Sequence, residues 1–198
     1  MKLSLPKQLL PGGIAFLCCL VIFPFTAGWL PLVRFTDEEI AIEVYPDHLW
    51  MTGIYHYENP YPFPVTQGFS IPLPQDKNHP EPIHVSAALL PAESVALPVY
   101  FLLGAHRFSI TFRAKERLTV RVKYYQYTPD QDAWYILTTT QPWGRPLRTG
   151  RYTLSFTNTH FTTSNYSLTQ DNDGTYYFER ENFMPQYNWR FSWDISAL

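Results

Sequence analysis

The sequence contains few residues of several types, and each shortage excludes a class of protein. Cys18 and Cys19 are its only cysteines, so the chain beyond them can form neither a disulfide nor a thiolate metal site. Charged residues make up only 16% of the chain, whereas aromatic residues make up 17%. A chain of this composition can bury a large apolar core, which a disordered protein cannot. The 9 glycines are outnumbered by 18 prolines, most of which lie between apolar runs and therefore indicate strand ends.

The usual catalytic signatures are absent as well. The chain has no Gly-x-Ser-x-Gly nucleophile elbow, no Gly-rich phosphate loop and no His-Glu-x-x-His zinc helix. His79 and His84 lie close together with Glu81 between them, but solvent-exposed histidines explain this spacing better than a metal site does. We predict that the protein is not an enzyme and has no catalytic residue, metal site or cofactor.

An uncharged stretch near the N-terminus predicts membrane targeting. Lys2 and Lys7 precede the stretch IAFLCCLVIFPFTAGWLPLV at 14–33, which approaches the roughly 20 residues that cross a bilayer. Its first half also has the length of a signal-peptide core, and the small residues at 26–28 would suit cleavage. Trp29 favours an uncleaved anchor, because tryptophan is enriched where a membrane segment meets water.

The charge of this segment predicts its orientation. Lysines on the N-terminal side favour a cytoplasmic N-terminus, which exports the rest of the chain. Residues 1–33 are therefore expected to be a membrane anchor or signal peptide. Residues 34–198 are expected to form one extracytoplasmic domain, periplasmic or at the cell surface, which would be secreted if the leader is cleaved.

Beyond residue 34 the hydrophobic periodicity is that of strands. IAIEVY at 40–45 alternates apolar with mixed positions, which is typical of a strand with one buried face. Further strands are predicted at 49–57, 65–71, 83–90, 95–103, 107–114, 117–127, 133–140, 151–157, 164–169, 175–181 and 188–195. Many short strands separated by turn residues favour an all-β protein. The predicted fold is an antiparallel β-sandwich, immunoglobulin-like or similar, preceded by one N-terminal hydrophobic helix.

Prolines and one glycine define particular turns. Proline is tolerated in sheets only at edges, ends or bulges, so Asn59-Pro60 should end the strand at 49–57. Pro72-Leu73-Pro74 should likewise end the strand at 65–71. Asp173-Gly174 suits a tight hairpin turn; its glycine stands too early for a calcium loop.

Several stretches resemble known families. A strand that ends in ENP (58–60) and a second that ends in IPLP (71–74) resemble the opening of the vault/inter-alpha-trypsin inhibitor type of β-sandwich. With FRAKERLTVRVKYYQY (112–127), YILTTTQPWGRPL (135–147) and GRYTLSF (150–156), they are similar to an uncharacterised family of exported bacterial proteins. The resemblance implies a non-catalytic sandwich, and it transfers no site residues.

Charge is distributed unevenly along the exported part. This part carries 13 basic and 17 acidic residues, a net charge of −4, which disfavours nucleic-acid binding. Alternation along the strand at 117–127 places Arg117, Arg121 and Lys123 on one side and apolar residues on the other. This basic side could pair with acidic neighbours such as Glu39, or it could bind an anionic partner.

Aromatic residues extend the set of candidate binding residues. Trp134 follows a run of tyrosines, and the tail places Trp189 and Trp193 on one side of a strand. Most such stripes are core, but tyrosine and tryptophan also favour protein interfaces and stack on sugars. The candidate binding face comprises Arg117, Arg121, Lys123, Trp134, Trp189 and Trp193.

Together these patterns predict a binding or structural role. The favoured hypothesis is a non-catalytic, membrane-tethered extracytoplasmic component of an envelope assembly, held in the membrane by residues 14–33 and bound to a protein partner. The alternative is an exported carbohydrate-binding module or a carbohydrate-active hydrolase. Nucleic acid is not an expected partner.

Overall fold

A computed structural model describes residues 31–91 and 95–195. These residues form fourteen strands and one 3-10 helix, Leu137–Trp143. In chain order the strands are β1 Arg34–Val44, β2 His48–Glu58, β3 Val65–Ile71, β4 Ile83–Leu90, β5 Val95–Leu97, β6 Tyr100–Leu102, β7 Ala105–Phe112, β8 Arg117–Tyr127, β9 Asp132–Tyr135, β10 Leu147–Phe156, β11 Thr159–Ser164, β12 Thr169–Gln170, β13 Tyr176–Phe183 and β14 Trp189–Ile195. The all-β prediction is therefore confirmed for the described residues.

The strands form one long sheet and two short ones. The long sheet has eight strands in the order β12-β13-β10-β1-β2-β8-β4-β5. One three-stranded sheet has the order β3-β7-β6, here called the β3 sheet, and the other has the order β11-β14-β9, here called the β14 sheet. Both short sheets pack on the same face of the long sheet, as their shared core residues show. The other face of the long sheet, called the outer face, is open to solvent.

The prediction of a purely antiparallel sandwich is wrong at the centre of the long sheet. There β1 pairs with β10 in parallel, with Ile40 opposite Tyr152 and Ile42 opposite Leu154. Parallel neighbours need a long crossover between them, and the intervening residues supply one that includes the β3 sheet, β8 and the 3-10 helix. The resulting sheet is mixed, an arrangement that strand periodicity alone does not distinguish.

Two apolar clusters lie between the layers. The β14 cluster joins Ile40, Met51 and Tyr152 of the long sheet to Trp189 and Trp193. The β3 cluster joins the other end of the long sheet to the β3 sheet, and its members include Phe35, Tyr57, Phe69, Phe108, Phe112, Val120 and Val122. Alternating apolar positions on long strands bury one face because sheet side chains point to opposite sides in turn.

The predicted strand ends at prolines are confirmed. β2 ends at Glu58, directly before Asn59-Pro60, and β3 ends at Ile71, directly before Pro72. Asn59 is fully buried and closes the connection, since its amide donates to the carbonyls of Phe63 (2.9 Å) and Arg113 (2.7 Å).

Other predicted strands differ from the structure. The strand expected at 133–140 stops at Tyr135, and the 3-10 helix follows it; Gly144, with φ of 66°, caps the C-terminal end of that helix. The strand expected at 95–103 is divided into β5 and β6 by residues 98–99, because Pro98 cannot donate a ladder hydrogen bond. Of the strand expected at 164–169, only Ser164 and Thr169 lie in strands.

The N-terminal helix and most of the predicted anchor at 14–33 lie outside the described residues. Leu32 donates its backbone N–H to Gln67 (2.6 Å), and Val33 is buried in the β3 cluster. The folded domain therefore includes these two residues, although the sequence assigned them to the leader. Within 31–91 and 95–195, the structure has no helix of the length and apolar character that a membrane crossing requires.

Candidate functional site

The six predicted binding residues do not form one surface. Trp189 and Trp193 are buried in the β14 cluster, 0% and 2% exposed, so their inclusion in a binding face was wrong. They face inward because β14 packs its alternate aromatic side against the long sheet. Half-buried Trp134 lies on the side of β9 away from the core. Its ring is nearly perpendicular to that of His79, 4.3 Å between centroids, and the guanidinium of Arg190 lies 5.7 Å from its centroid.

The three basic residues do share the outer face. Arg117, Arg121 and Lys123 alternate along β8 with the inward-facing Val120 and Val122. The Arg117 guanidinium lies 3.7 Å from the Glu58 carboxylate of neighbouring β2. Exposed pairs of this kind stabilise a fold by roughly 0.2–1 kcal/mol.

The acidic neighbour that the sequence suggested is placed differently. Glu39 lies on β1, opposite Ile54 of β2, and Ile54 in turn lies opposite Arg121 of β8. The carboxylate of Glu39 is 3.6 Å from Nε2 of His56. A whole strand therefore separates the Glu39 backbone from that of Arg121.

An exposed aromatic cluster continues the basic side along the outer face. It lines a shallow depression and is here called the aromatic patch: Trp50, Ile83, His84, Lys123, Tyr125 and Tyr127. The cluster forms because Trp50 on β2 lies directly opposite Tyr125 on β8, and Ile83 on β4 lies opposite Tyr125 from the other side. A bulge in β4 between Ile83 and Ser86 gives His84 a φ of 54°.

Ring contacts hold the aromatic patch in place. The rings of Trp50 and Tyr125 meet edge to face at 5.1 Å, and those of Tyr125 and Tyr127 do so at 5.0 Å. Trp50 is 36% exposed and Tyr127 50% exposed. Large apolar rings beside a lysine at an open surface are typical of a binding surface rather than of a core. The sequence does not reveal this cluster, because positions 50, 83 and 125 come together only through the strand register.

One acid is buried beneath the long sheet. Glu38 is 2% exposed and accepts hydrogen bonds from the hydroxyls of Tyr135 (2.5 Å) and Tyr152 (2.8 Å). Burial raises the pKa of the Glu38 carboxyl to about 7, although these hydrogen bonds act in the opposite direction. The alternation of strand β1 would have placed Glu38 inward, since it precedes Ile40 by two residues.

The histidines of the suggested metal site lie apart. His79 is buried, with Nδ1 2.8 Å from Asp76 Oδ1 and Nε2 3.0 Å from the carbonyl oxygen of Asp132. His84 belongs to the aromatic patch, and Glu81 contacts His106 at 3.2 Å. Among the described residues, no three His, Cys, Asp or Glu side chains are grouped so that they could hold a metal ion.

Comparisons with known proteins identify a fold but no family. No family model and no curated protein matches the sequence. A crystal structure from Legionella pneumophila, named a "putative nutrient binding protein", aligns with 86% of this chain and 69% of its own, at a TM-score of 0.65 and 12% identity. This likeness shows a shared fold. It does not bear on the resemblance to the vault-type sandwich, which stays a prediction.

A weaker likeness extends to a peptidase. An M1 zinc metallopeptidase from Deinococcus radiodurans aligns with 81% of this chain at a TM-score of 0.45 and 10% identity. The aligned region spans 42% of that peptidase.

Proposed function

We propose that this protein is a non-catalytic, membrane-tethered extracytoplasmic binding component, and that the outer face of the long sheet binds a protein partner. The observation that carries the proposal is the aromatic patch beside the basic side of β8. Aromatic residues and arginine are enriched in protein interfaces, where they are the residues that cost most affinity when truncated. The adjacent Arg121 and Lys123 favour a partner whose surface is apolar and acidic.

Site-specific crosslinking tests the protein partner. A photoreactive phenylalanine at Tyr127 in the full chain, irradiated in the native envelope, should give an adduct of one discrete mass. Tyr187 is the matched control, because it is a tyrosine of similar exposure, 53% against 50%, outside the outer face. Equal adducts from both positions, or none from position 127, would contradict the proposal.

Charge removal separates binding from folding. The variant Lys123→Gln should weaken the adduct at position 127 while leaving the melting temperature unchanged, if this cation serves the partner. A lower melting temperature with the adduct retained would instead show that the basic side stabilises the sheet.

Carbohydrate contact is the second candidate function, since exposed Trp and Tyr rings also stack on sugars. Polysaccharide pull-down with purified protein tests it. Binding that is lost in Trp50→Ala but kept in Trp134→Ala, on the far side of the molecule, would replace the protein partner with a glycan.

Membrane tethering is tested by fractionation. The full chain should stay in the membrane pellet after carbonate extraction, and its C-terminal domain should be digested by protease added outside the cytoplasmic membrane. A chain that starts at residue 31 should be released to the supernatant. Release of the full chain as well would indicate a cleaved leader.

A further inference from the structure

A cavity of about 240 Å³ lies between the long sheet and the β3 sheet. Its floor comes from β1, β2 and β8, one wall from residues 67–72, and the opposite wall from the 3-10 helix with Tyr135. It occupies the place where the cover changes from the β3 sheet to the β14 sheet. This position follows from the topology, because two separate short sheets cannot cover the whole face of one long sheet.

Aromatic rings surround the cavity. Tyr57 stands 5.2 Å from Phe35, 4.7 Å from Phe69 and 5.6 Å from Trp143, measured between ring centroids. No aspartate, glutamate, lysine, arginine or histidine is among the described residues that line it. A charged ligand would lose its hydration without gaining a partner there, so the lining favours an uncharged, flat, apolar molecule.

A chain of hydrogen-bonded hydroxyl groups makes one end of the cavity polar. Tyr135, which lines the cavity, donates its only hydroxyl hydrogen to Glu38. While Glu38 is ionised, the hydroxyl of Tyr55, 3.0 Å away, therefore donates to Tyr135. The Tyr55 oxygen keeps its lone pairs as acceptors at the cavity wall. A ligand that carries one O–H or N–H group would satisfy them.

We infer that this cavity binds a neutral aromatic molecule of about two fused rings that carries one hydrogen-bond donor directed at Tyr55. The volume supports this class, since a cavity of about 150 Å³ accepts benzene. An unfilled apolar cavity destabilises a fold in proportion to its volume, which favours occupation of this one. The site is separate from the aromatic patch, and the inference does not depend on the proposed partner.

The test uses the full chain in lipid nanodiscs, labelled with 5-fluorotryptophan and titrated with 2-naphthol. The ¹⁹F resonance of Trp143, assigned with Trp143→Phe, should shift saturably. The resonances of Trp189 and Trp193, buried in the β14 cluster, should not. Empty nanodiscs correct for the naphthol that partitions into lipid. Naphthalene-2-sulfonate, which has the same rings and a negative charge, should leave Trp143 unchanged.

Two variants locate the site. Thr139→Phe places a ring at the cavity wall and should weaken naphthol binding at least tenfold. Thr153→Phe is its matched control on the outer face, since each threonine is half-buried and donates to a backbone carbonyl, Ile136 and Ile40 respectively. Tyr55→Phe keeps the shape but removes the acceptor. It should weaken naphthol binding about three- to tenfold and leave naphthalene binding unchanged.

The outcomes are decisive in both directions. A saturable Trp143 shift that Thr139→Phe loses and Thr153→Phe keeps supports the site. No shift with 2-naphthol, equal binding by both threonine variants, or equal binding of the sulfonate overturns it. If Thr139→Phe disturbs the resonances of Trp189 and Trp193, the Tyr55→Phe comparison of naphthol with naphthalene decides.

Discussion

Glu38 is the residue at which polarity and burial conflict most directly. Its carboxyl is buried between the layers, and two tyrosine hydroxyls are its partners. Burial also raises the pKa of Tyr55, Tyr135 and Tyr152, with the charge of Glu38 as a further cause. The four groups therefore form a hydrogen-bonded unit that prefers to carry no charge.

The raised pKa of Glu38 predicts a pH-dependent stability. An unfolded glutamate has a pKa of about 4.3, whereas folded Glu38 has one of about 7. Between these values the folded chain keeps a proton that the unfolded chain has lost, so stability falls as the pH rises. The slope from this one group is at most about 1.4 kcal/mol per pH unit, and it vanishes above the folded pKa.

Urea unfolding of Glu38→Gln at pH 5 to 8 checks this expectation. Every other titratable group is the same in both proteins, so the difference between the two stability curves isolates Glu38. Glu43→Gln, an exposed position on the same strand, should leave the wild-type slope unchanged. Parallel curves for Glu38→Gln and the wild type would show that Glu38 does not hold its proton in the folded state.

Asn59 is a second residue on which the fold depends. Besides its two donated bonds, its Oδ1 accepts from the N–H of Tyr61 at 2.9 Å. Asn59→Ala removes a partner from three backbone groups, of which the Arg113 carbonyl keeps a second donor, the N–H of Glu116 at 3.3 Å. Each group left unsatisfied costs about 1–3 kcal/mol. We expect the free energy of unfolding to fall by about 3 kcal/mol. Asn78→Ala, in an exposed loop, is the control, and an equal loss there would argue against a specific role for Asn59.

Strand β14 shows how far period-two alternation predicts which side chains of a strand are buried. Tyr187, Trp189, Phe191, Trp193 and Ile195 share one side of the chain, yet the middle three are buried and the two at the ends are half exposed. The difference arises because the β14 sheet covers the long sheet only over its central residues. Periodicity alone does not indicate where that cover ends.

This aromatic stripe, the side of the chain that carries Tyr187, Trp189, Phe191, Trp193 and Ile195, offers a matched pair of substitutions. Trp193→Ala should lower the free energy of unfolding by about 3–5 kcal/mol, the usual cost of a large cavity in a core. Tyr187→Ala should cost less than about 1 kcal/mol, because its ring is 53% exposed. Chemical denaturation measures both. Similar losses would mean that the end of the stripe is packed as tightly as its centre.

At the scale of the whole molecule, the two core clusters share the same strands. β2 contributes Met51 to the β14 cluster and Tyr57 to the β3 cluster, and β8 contributes Tyr124 and Val120 in the same way. Each long strand therefore crosses from one cluster to the other. Loss of one cluster would leave about half of the length of each of these strands without a covering layer.

We therefore expect the domain to unfold in one cooperative transition. The ¹⁹F resonances of Trp143, beside the β3 cluster, and Trp193, in the β14 cluster, should disappear at the same urea concentration. Coincident probes are the standard test of two-state behaviour. Distinct midpoints would show that the short sheets fold independently on the long one.

The sequence by itself determined the all-β class of the protein and several of its strand ends. Period-two alternation predicts most strands, and Pro60 and Pro72 predict the ends of β2 and β3, because these signals are local and act through one chain segment. The membrane anchor and the export of the domain remain predictions from the same kind of signal. Tertiary structure alone decided the parallel pairing of β1 with β10, the burial of Trp189 and Trp193, and the assembly of the aromatic patch and the cavity. These features depend on strand register and on which layer covers which residue, and both are set by contacts between segments far apart in the chain.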